Sequence, residues 1–340
     1  MLFAAVPAAF TLAGLHAPAA LVFAACGLGI VPLARLMGEA TEALAARSGP
    51  AVGGLLNATF GNAAELIITL FALHAGLIGL VKASLVGSIL GNLLMVLGFA
   101  IVAGSWRAPK VTFSAASAGA AVGMMVLAVA AFAAPALYGL AHPNPSPQVL
   151  LRLSDGVAVV LLASYGCSLL FTLKTHRALL APEGGGEHRW SPRTAVAVLA
   201  ATTALVAWLS EILVGVTQGA SASLGLSETF VGLVLIPLIG NAAEHATAVV
   251  VAAKGKMNLA FQIAAGSSAQ VALFVAPVLV AAGHLFGQRM DFAFSTFEVA
   301  ALGLGSLGVG VVALDGESNW FEGVQLVGLY GILGVVAFFI

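Results

Sequence analysis

The sequence predicts an all-α polytopic membrane protein of about 11 transmembrane helices, on three observations. Only 8% of its 340 residues are charged and 61% are apolar, with a mean hydropathy of +1.08, whereas a soluble domain is about 25% charged. Apolar runs of roughly 20 residues, the length that crosses a hydrocarbon core, follow one another along most of the chain. Finally, Gly61-Asn62-Ala63-Ala64-Glu65 returns unchanged as Gly240-Asn241-Ala242-Ala243-Glu244, each copy inside such a run. The alternating ten-residue segments of a membrane barrel are absent, so the spans are helices.

Cutting the chain at charged, polar and Pro-rich breaks gives spans at approximately 2–15, 17–37, 51–74, 78–103, 112–136, 153–174, 194–220, 228–253, 257–283, 292–314 and 320–340. The first is short. No Lys or Arg precedes it and no cleavage site follows, so it reads as a span rather than a signal peptide. The second is expected to continue as a helical tail over Met37–Arg47, with Glu39, Glu42 and Arg47 at the interface. Three prolines break the chain between Ala141 and Gln148. Glu183-Gly184-Gly185-Gly186-Glu187 marks a cytoplasmic linker within Thr175–Pro192. Cys26 and Cys167 both fall inside apolar spans, which excludes a disulfide framework or a zinc site. A net charge of -1 gives no sign of a nucleic-acid partner.

Loop charge tests the count. With a cytoplasmic N-terminus, Arg35, Arg47, Arg107, Lys110, Lys174, Arg177, Arg189, Arg193, Lys254 and Lys256 fall on the cytoplasmic side. Lys82, Arg152 and Arg289 fall outside, as does the C-terminus. This asymmetry follows the positive-inside rule, and adding or removing a central span would scramble it.

The two halves repeat at an offset of 179 residues (244 - 65). Val52-Gly53-Gly54-Leu55 aligns with Val231-Gly232-Leu233-Val234, and Gly87-Ser88 aligns with Gly266-Ser267. Each half then holds five spans. Because five is odd, the second copy enters the membrane from the opposite side, giving two inverted-topology five-helix repeats, an architecture of secondary transporters. The expected organisation is an extra N-terminal helix at 1–16, repeats at 17–174 and 193–340, and a linker at 175–192.

Glu65 and Glu244 sit near the middle of their spans. An ionised carboxylate there costs about 2.5–3.5 kcal/mol on insertion scales, and neither span carries a Lys or Arg at that depth. The obvious partner is an external cation. Asn62 and Asn241 precede their glutamates by three residues, a spacing that places both side chains on one helical face. Two carboxylates and two amide carbonyls form an all-oxygen set of the kind hard divalent cations take, calcium above all. The thiols and paired histidines that suit zinc or copper are missing. Gly61, Gly240 and Pro237 mark a kink or break that would offer backbone carbonyls as well. Ser88, Asn92, Ser267, Ser268 and Gln270 bring neutral donors at matching depth, each alone better suited to an interhelical hydrogen bond. His245 points about 100° away from Glu244, which favours packing or hydrogen bonding over ligation and leaves a proton relay open. Glu211 lies deep in the seventh span as a candidate for guiding ions or protons.

The two Gly-Asn-Ala-Ala-Glu cores resemble the paired repeats of calcium/cation antiporters. The longer stretches Asn57-Ala58-Thr59-Phe60-Gly61-Asn62-Ala63-Ala64-Glu65-Leu66, Gly240-Asn241-Ala242-Ala243-Glu244-His245, Gly87-Ser88-Ile89-Leu90-Gly91-Asn92 and Gly266-Ser267-Ser268-Ala269-Gln270 resemble the calcium/proton exchanger branch (cation/proton exchangers, CAX). The resemblance implies exchange of cytosolic Ca2+ for H+ by alternating access, with Ca2+ as substrate and no resident cofactor. Glu65 and Glu244 would take the cation or protons, and spans two and seven would move around a more rigid core. A prokaryotic plasma membrane is the expected location. Two ionised carboxylates in one dry site repel each other, so one divalent cation or two protons would neutralise them in turn. Exchange of Na+ for Ca2+, exchange of Mn2+ for H+, and a cation channel are the competing readings. The motifs of membrane-embedded hydrolases and metalloproteases are absent.

Overall fold

A computed structural model describes residues 2–106, 108–142, 146–175 and 190–340. The chain is nearly all helical, in the order α1 (Leu2–Gly14), α2 (Ala19–Ala45), α3 (Gly49–Phe60), α4 (Ala63–His74), α5 (Ile78–Ser105), α6 (Ala115–Ala141), α7 (Pro147–Lys174), α8 (Pro192–Leu224), α9 (Glu228–Gly240), α10 (Ala242–Ala253), α11 (Met257–Phe286), α12 (Thr296–Ala313) and α13 (Trp320–Phe339). Among the described residues eight helices are long and apolar enough to cross a membrane, or nine if α9 and α10, bent by 65°, form one span. α1 and α4 are apolar but shorter.

Local chemistry sets the boundaries. Ser114, Ser146, Ser191 and Ser227 each accept a backbone N–H at a helix start, which satisfies a donor the helix leaves open. Ser295 with Glu298, and Asn319 with Glu322, form reciprocal capping boxes. Gly225 and Gly287 close α8 and α11 in the left-handed conformation that glycine adopts without strain. α2 runs unbroken to Ala45, so the expected tail is a continuation of the same helix. The loops add one element the all-α expectation did not contain. Val111–Thr112 (β1) pairs antiparallel with Glu317–Ser318 (β2), because two short polar loops meet with free backbone groups. Most of the expected linker lies outside the described residues.

α5 and α11 form the centre, with 83% and 67% of their most apolar stretches buried, against 17% for α7. Their cores are Leu, Val, Ala and Gly, interrupted by buried Ser84, Ser88 and Asn92 on α5 and by Ser267, Ser268 and Gln270 on α11. Glycines set the closest approaches: at Gly98 of α5 and Gly323 of α13, a Cβ on either residue would stand 2.7 Å from the carbonyl of the other. α2 and α8 make the most extensive helix–helix contact, and α1 lies against both, with Ala9 buried and Phe10 tilted on Trp208 at 4.4 Å.

Polar contacts tie the ends together. At one end Lys82 donates to Asp291 at 2.5 Å and to the Ala293 carbonyl at 2.9 Å, and His284 meets Asp155 at 2.8 Å. At the other, Lys110 pairs with Glu317, and the Ser114 N–H donates to Asn258 at 2.6 Å.

Candidate ion-binding site

Both repeated pentapeptides interrupt a helix. In the first, the Gly61 N–H closes the last turn of α3 on the Asn57 carbonyl, and the Leu66 N–H opens α4 on Asn62. In the second, the Asn241 N–H ends α9 on Pro237, and the His245 N–H opens α10 on Asn241. The carbonyls of Leu238, Ile239 and Gly240 therefore fall outside both ladders. Asn62 (φ -103°, ψ 29°) and Asn241 (φ -108°, ψ 8°) hold matching non-helical conformations at the two breaks. Glu65 and Glu244 then stand in the first turn of α4 and α10, where a helix N-terminus complements negative charge.

Pro237 contributes upstream. Its missing N–H releases the Leu233 carbonyl one turn back, within a π-helical turn over Val231–Leu235. That carbonyl rests against Gly87 of α5, where a Cβ would have no room.

The sequence reading placed Asn62 and Glu65 on one helical face. Asn62 is the N-cap residue of α4 with Glu65 three residues on in its first turn, and the Asn62 side chain bonds Ser267 rather than Glu65. Each asparagine instead reaches across to the other half. Asn241 Nδ2 donates to Glu65 Oε2 at 3.3 Å and to Ser88 Oγ at 3.1 Å. Asn62 Oδ1 stands 2.8 Å from Ser267 Oγ, which is also 2.8 Å from Glu244 Oε2 and accepts from Asn92 Nδ2 at 3.1 Å. A hydroxyl has one proton to give. Ser267 Oγ can give it to Asn62 Oδ1 or to Glu244 Oε2, one at a time, and Asn62 Nδ2 has no hydrogen-bond partner.

The network is dry. Glu65 is 0% exposed, Asn62 3%, Asn241 2% and Asn92 1%. Glu65 Oε1 has no hydrogen-bond partner, a costly state for a buried carboxylate oxygen. Among the described residues the ion pairs leave Glu65 and Glu244 unmatched by Lys or Arg, and no three His, Cys, Asp or Glu side chains gather. The donor set is thus two carboxylates surrounded by neutral amides and hydroxyls. Such a set suits a hard cation better than a soft metal.

The remaining residues separate. Ser268 donates to the Ile89 and Ala264 carbonyls, an interhelical and a local bond. Gln270 lies buried beside Gly61, whose Cβ position is 3.5 Å from Gln270 Oε1. His245 is buried with neither ring nitrogen bonded, which fits packing. Glu211 is exposed on α8 and takes no part in the hydrogen bonds of the network. What the sequence reading missed is the crossing of each asparagine to the opposite half. The 179-residue offset held that signal, since it makes Asn241–Ser88 and Asn62–Ser267 mates.

Residues 18–174 and 194–339 match the sodium/calcium exchanger protein family. This chain belongs to that family. It is 43% identical to a Ca(2+)/H(+) antiporter of Aphanothece halophytica over 96% of this chain and 92% of that protein. It is 41% identical to the Ca(2+)/H(+) antiporter ChaA of Bacillus subtilis over 94% of this chain and 93% of that protein. Among solved structures it is similar to native YfkE, with a TM-score of 0.87 at 38% identity, covering 100% of this chain and 98% of that one. Its polar network is therefore carried by a multi-pass membrane transporter fold.

Proposed function

We propose that this chain exchanges Ca2+ for H+ across a membrane by alternating access, with Glu65 and Glu244 binding either the divalent cation or protons. The observation that carries the reading is the crossed network itself. Each carboxylate is held by neutral groups: Glu65 by Asn241, which also reaches Ser88, and Glu244 by Ser267, which also meets Asn62 and Asn92. They have no basic counter-ion and leave one carboxylate oxygen unbonded. A divalent cation neutralises two carboxylates as one ion; two protons do so as a pair. Empty and doubly charged, the site is too costly to occlude, so one load must replace the other.

The architecture we infer has eleven spans. α3 with α4 counts as one span broken at Asn62, as α9 with α10 is broken at Asn241, and α1 is the extra helix at 1–16. Repeats at 17–174 and 193–340, joined by the 175–192 linker, are inverted. The matching backbone angles at the two breaks support this. We place the N-terminus in the cytoplasm and the C-terminus outside, in a bacterial plasma membrane. In support, Lys82–Asp291 and His284–Asp155 join loops assigned outside, while Lys110–Glu317 and Ser114–Asn258 join loops assigned inside. The bacterial sources of the two antiporter relatives agree with the location.

The test is ion flux in proteoliposomes carrying a pH gradient. Saturable Ca2+ uptake with proton counterflow is expected, and Glu65→Gln or Glu244→Gln should reduce it to background. Full activity in either variant would falsify the two-carboxylate site. Uptake driven by a sodium gradient alone would reassign the coupling ion, and competition by Mn2+ measures cation preference.

A further inference from the structure

Between α9 and α13 the described residues line a cavity of about 360 Å³. Phe230 and Val234 of α9 face Tyr330, Gly331, Gly334 and Phe338 of α13 across it, so its wall is apolar but for one phenol. Two glycines cut the notch. No atom of the described residues lies within 4 Å of the Cβ position of Gly331, and Gly334 meets only Val234 Cγ2, at 3.8 Å. Buried Tyr330, halfway along α13, closes the inner end. Its hydroxyl is 3.9 Å from the Cβ position of Gly91, the residue before Asn92 of the polar network. At the mouth Val335, Phe338 and Phe339 are exposed, and Phe230 meets Phe338 edge-on at 5.6 Å. Ser227 Oγ fixes this end by donating to the Ala337 carbonyl at 2.6 Å. α3, which carries undescribed side chains, packs mainly on α2, α4 and α7, away from this face.

Place, length and charge identify the occupant. The groove opens on the exposed apolar side of two membrane helices, where the surrounding medium is acyl chain. From Tyr330 to Phe339 it follows nine residues of α13, about 13 Å at roughly 1.5 Å per residue. That is close to one leaflet of a hydrocarbon core about 30 Å thick. A spanning helix of a second copy would need a groove that continues past Tyr330, whereas an acyl chain ends at mid-membrane. No hydrophobic drive operates within lipid, so contact with a concave wall is what holds a chain there. The headgroup is set by charge. Glu228 opens α9 beside the mouth, exposed and accepting from Gln218 Nε2 at 3.4 Å. Neither 194–253 nor 290–340 contains a Lys or Arg. An anionic headgroup would meet only negative charge here, while an ammonium group finds a carboxylate.

We propose that this groove binds one acyl chain of a zwitterionic phospholipid of the outer leaflet, with its ammonium headgroup at Glu228. Val234 belongs to the π-helical turn of α9, so the bound chain packs on the turn that absorbs Pro237. Lipid braces that turn from outside, as Gly87 of α5 receives its Leu233 carbonyl from within. Only the choice of leaflet rests on the sidedness proposed above; the site is independent of which ion is moved.

The experiment is photolabelling of the full chain in phosphatidylglycerol vesicles doped with a phosphatidylethanolamine whose acyl chain bears a diazirine. Adducts are mapped by mass spectrometry. They should concentrate on Phe230–Val234 and Tyr330–Phe339, above the level on α7, the least buried of the long spans and a reporter of bulk lipid. Exchanging part of the phosphatidylglycerol for unlabelled phosphatidylethanolamine should displace the groove adducts and leave those on α7. Gly331→Leu/Gly334→Leu, which fills the notch, should lower the groove adducts at least about tenfold. Labelling of α7 should persist in that variant and shows that it is folded; the corresponding alanine pair should lie between it and the parent. Glu228→Gln should remove the advantage of phosphatidylethanolamine over phosphatidylglycerol. Labelling spread in proportion to exposure marks bulk lipid only and overturns the site, as do groove adducts that survive the leucine pair. Copy-to-copy disulfides at Val335→Cys in a Cys26→Ala/Cys167→Ala background, with the groove unlabelled, would seat a second copy there and overturn it too. An advantage kept by Glu228→Gln overturns the headgroup assignment. Because no arm reads transport, a protein that moves no Ca2+ would fault the proposed function and leave this site standing.

Discussion

At Glu65 one carboxylate oxygen takes the Asn241 amide and the other takes nothing from the protein. That imbalance is unusual for a packing contact, because most buried side-chain polar atoms have a hydrogen-bond partner. Asn241 is the residue on which the arrangement turns, since its single NH2 group serves both Glu65 and Ser88. Asn241→Ala should lower Ca2+ affinity about tenfold, the equivalent of ~1.4 kcal/mol, a typical loss for hydrogen bonds to a charged group. Calorimetric titration of the purified protein measures it, and an unchanged affinity would show that the amide holds no part of the site. Both site asparagines were evident from the repeat. Their partners were not, because Ser267 and Glu65, which they bond, lie in the opposite half of the chain.

Among the elements, the breaks at Asn62 and Asn241 convert four short helices into the walls of one site. The sequence signalled both through glycine, and the second through Pro237 as well. The π-helical turn that absorbs this proline left no sequence signal, since such a turn depends on which carbonyls find partners. Close crossings by glycine fix the scaffold around the breaks. At Gly98 and Gly323 the backbones of α5 and α13 leave no space for a β-carbon. Gly98→Val should therefore lower thermal stability, by about 1–3 kcal/mol of overpacking strain. The loss should show as an earlier transition in detergent, with Ca2+ binding kept at low temperature because the crossing lies away from the network. An unshifted melting temperature would mean that the two helices separate freely there.

For the whole molecule, sidedness is the property most open to test. Cysteine or reporter fusions should place the 175–192 linker in the cytoplasm and residue 340 outside. Both ends of the chain on one side would undo the odd count and the inversion built on it. The cross-chain polar contacts argue for the odd count, because each joins loops that loop charge assigns to the same side.

Composition and hydropathy determined the membrane setting and the helical class, because transfer from water to lipid is a sum over residues. The repeat singled out two carboxylates, for a polar pentapeptide kept twice in apolar helices stands out without coordinates. Only the tertiary structure decided who bonds to whom, that each asparagine crosses to the opposite half, and that α9 is seated on α5 at Gly87. Those outcomes depend on contacts between helices far apart in the chain, of which the repeated pentapeptide carries no record.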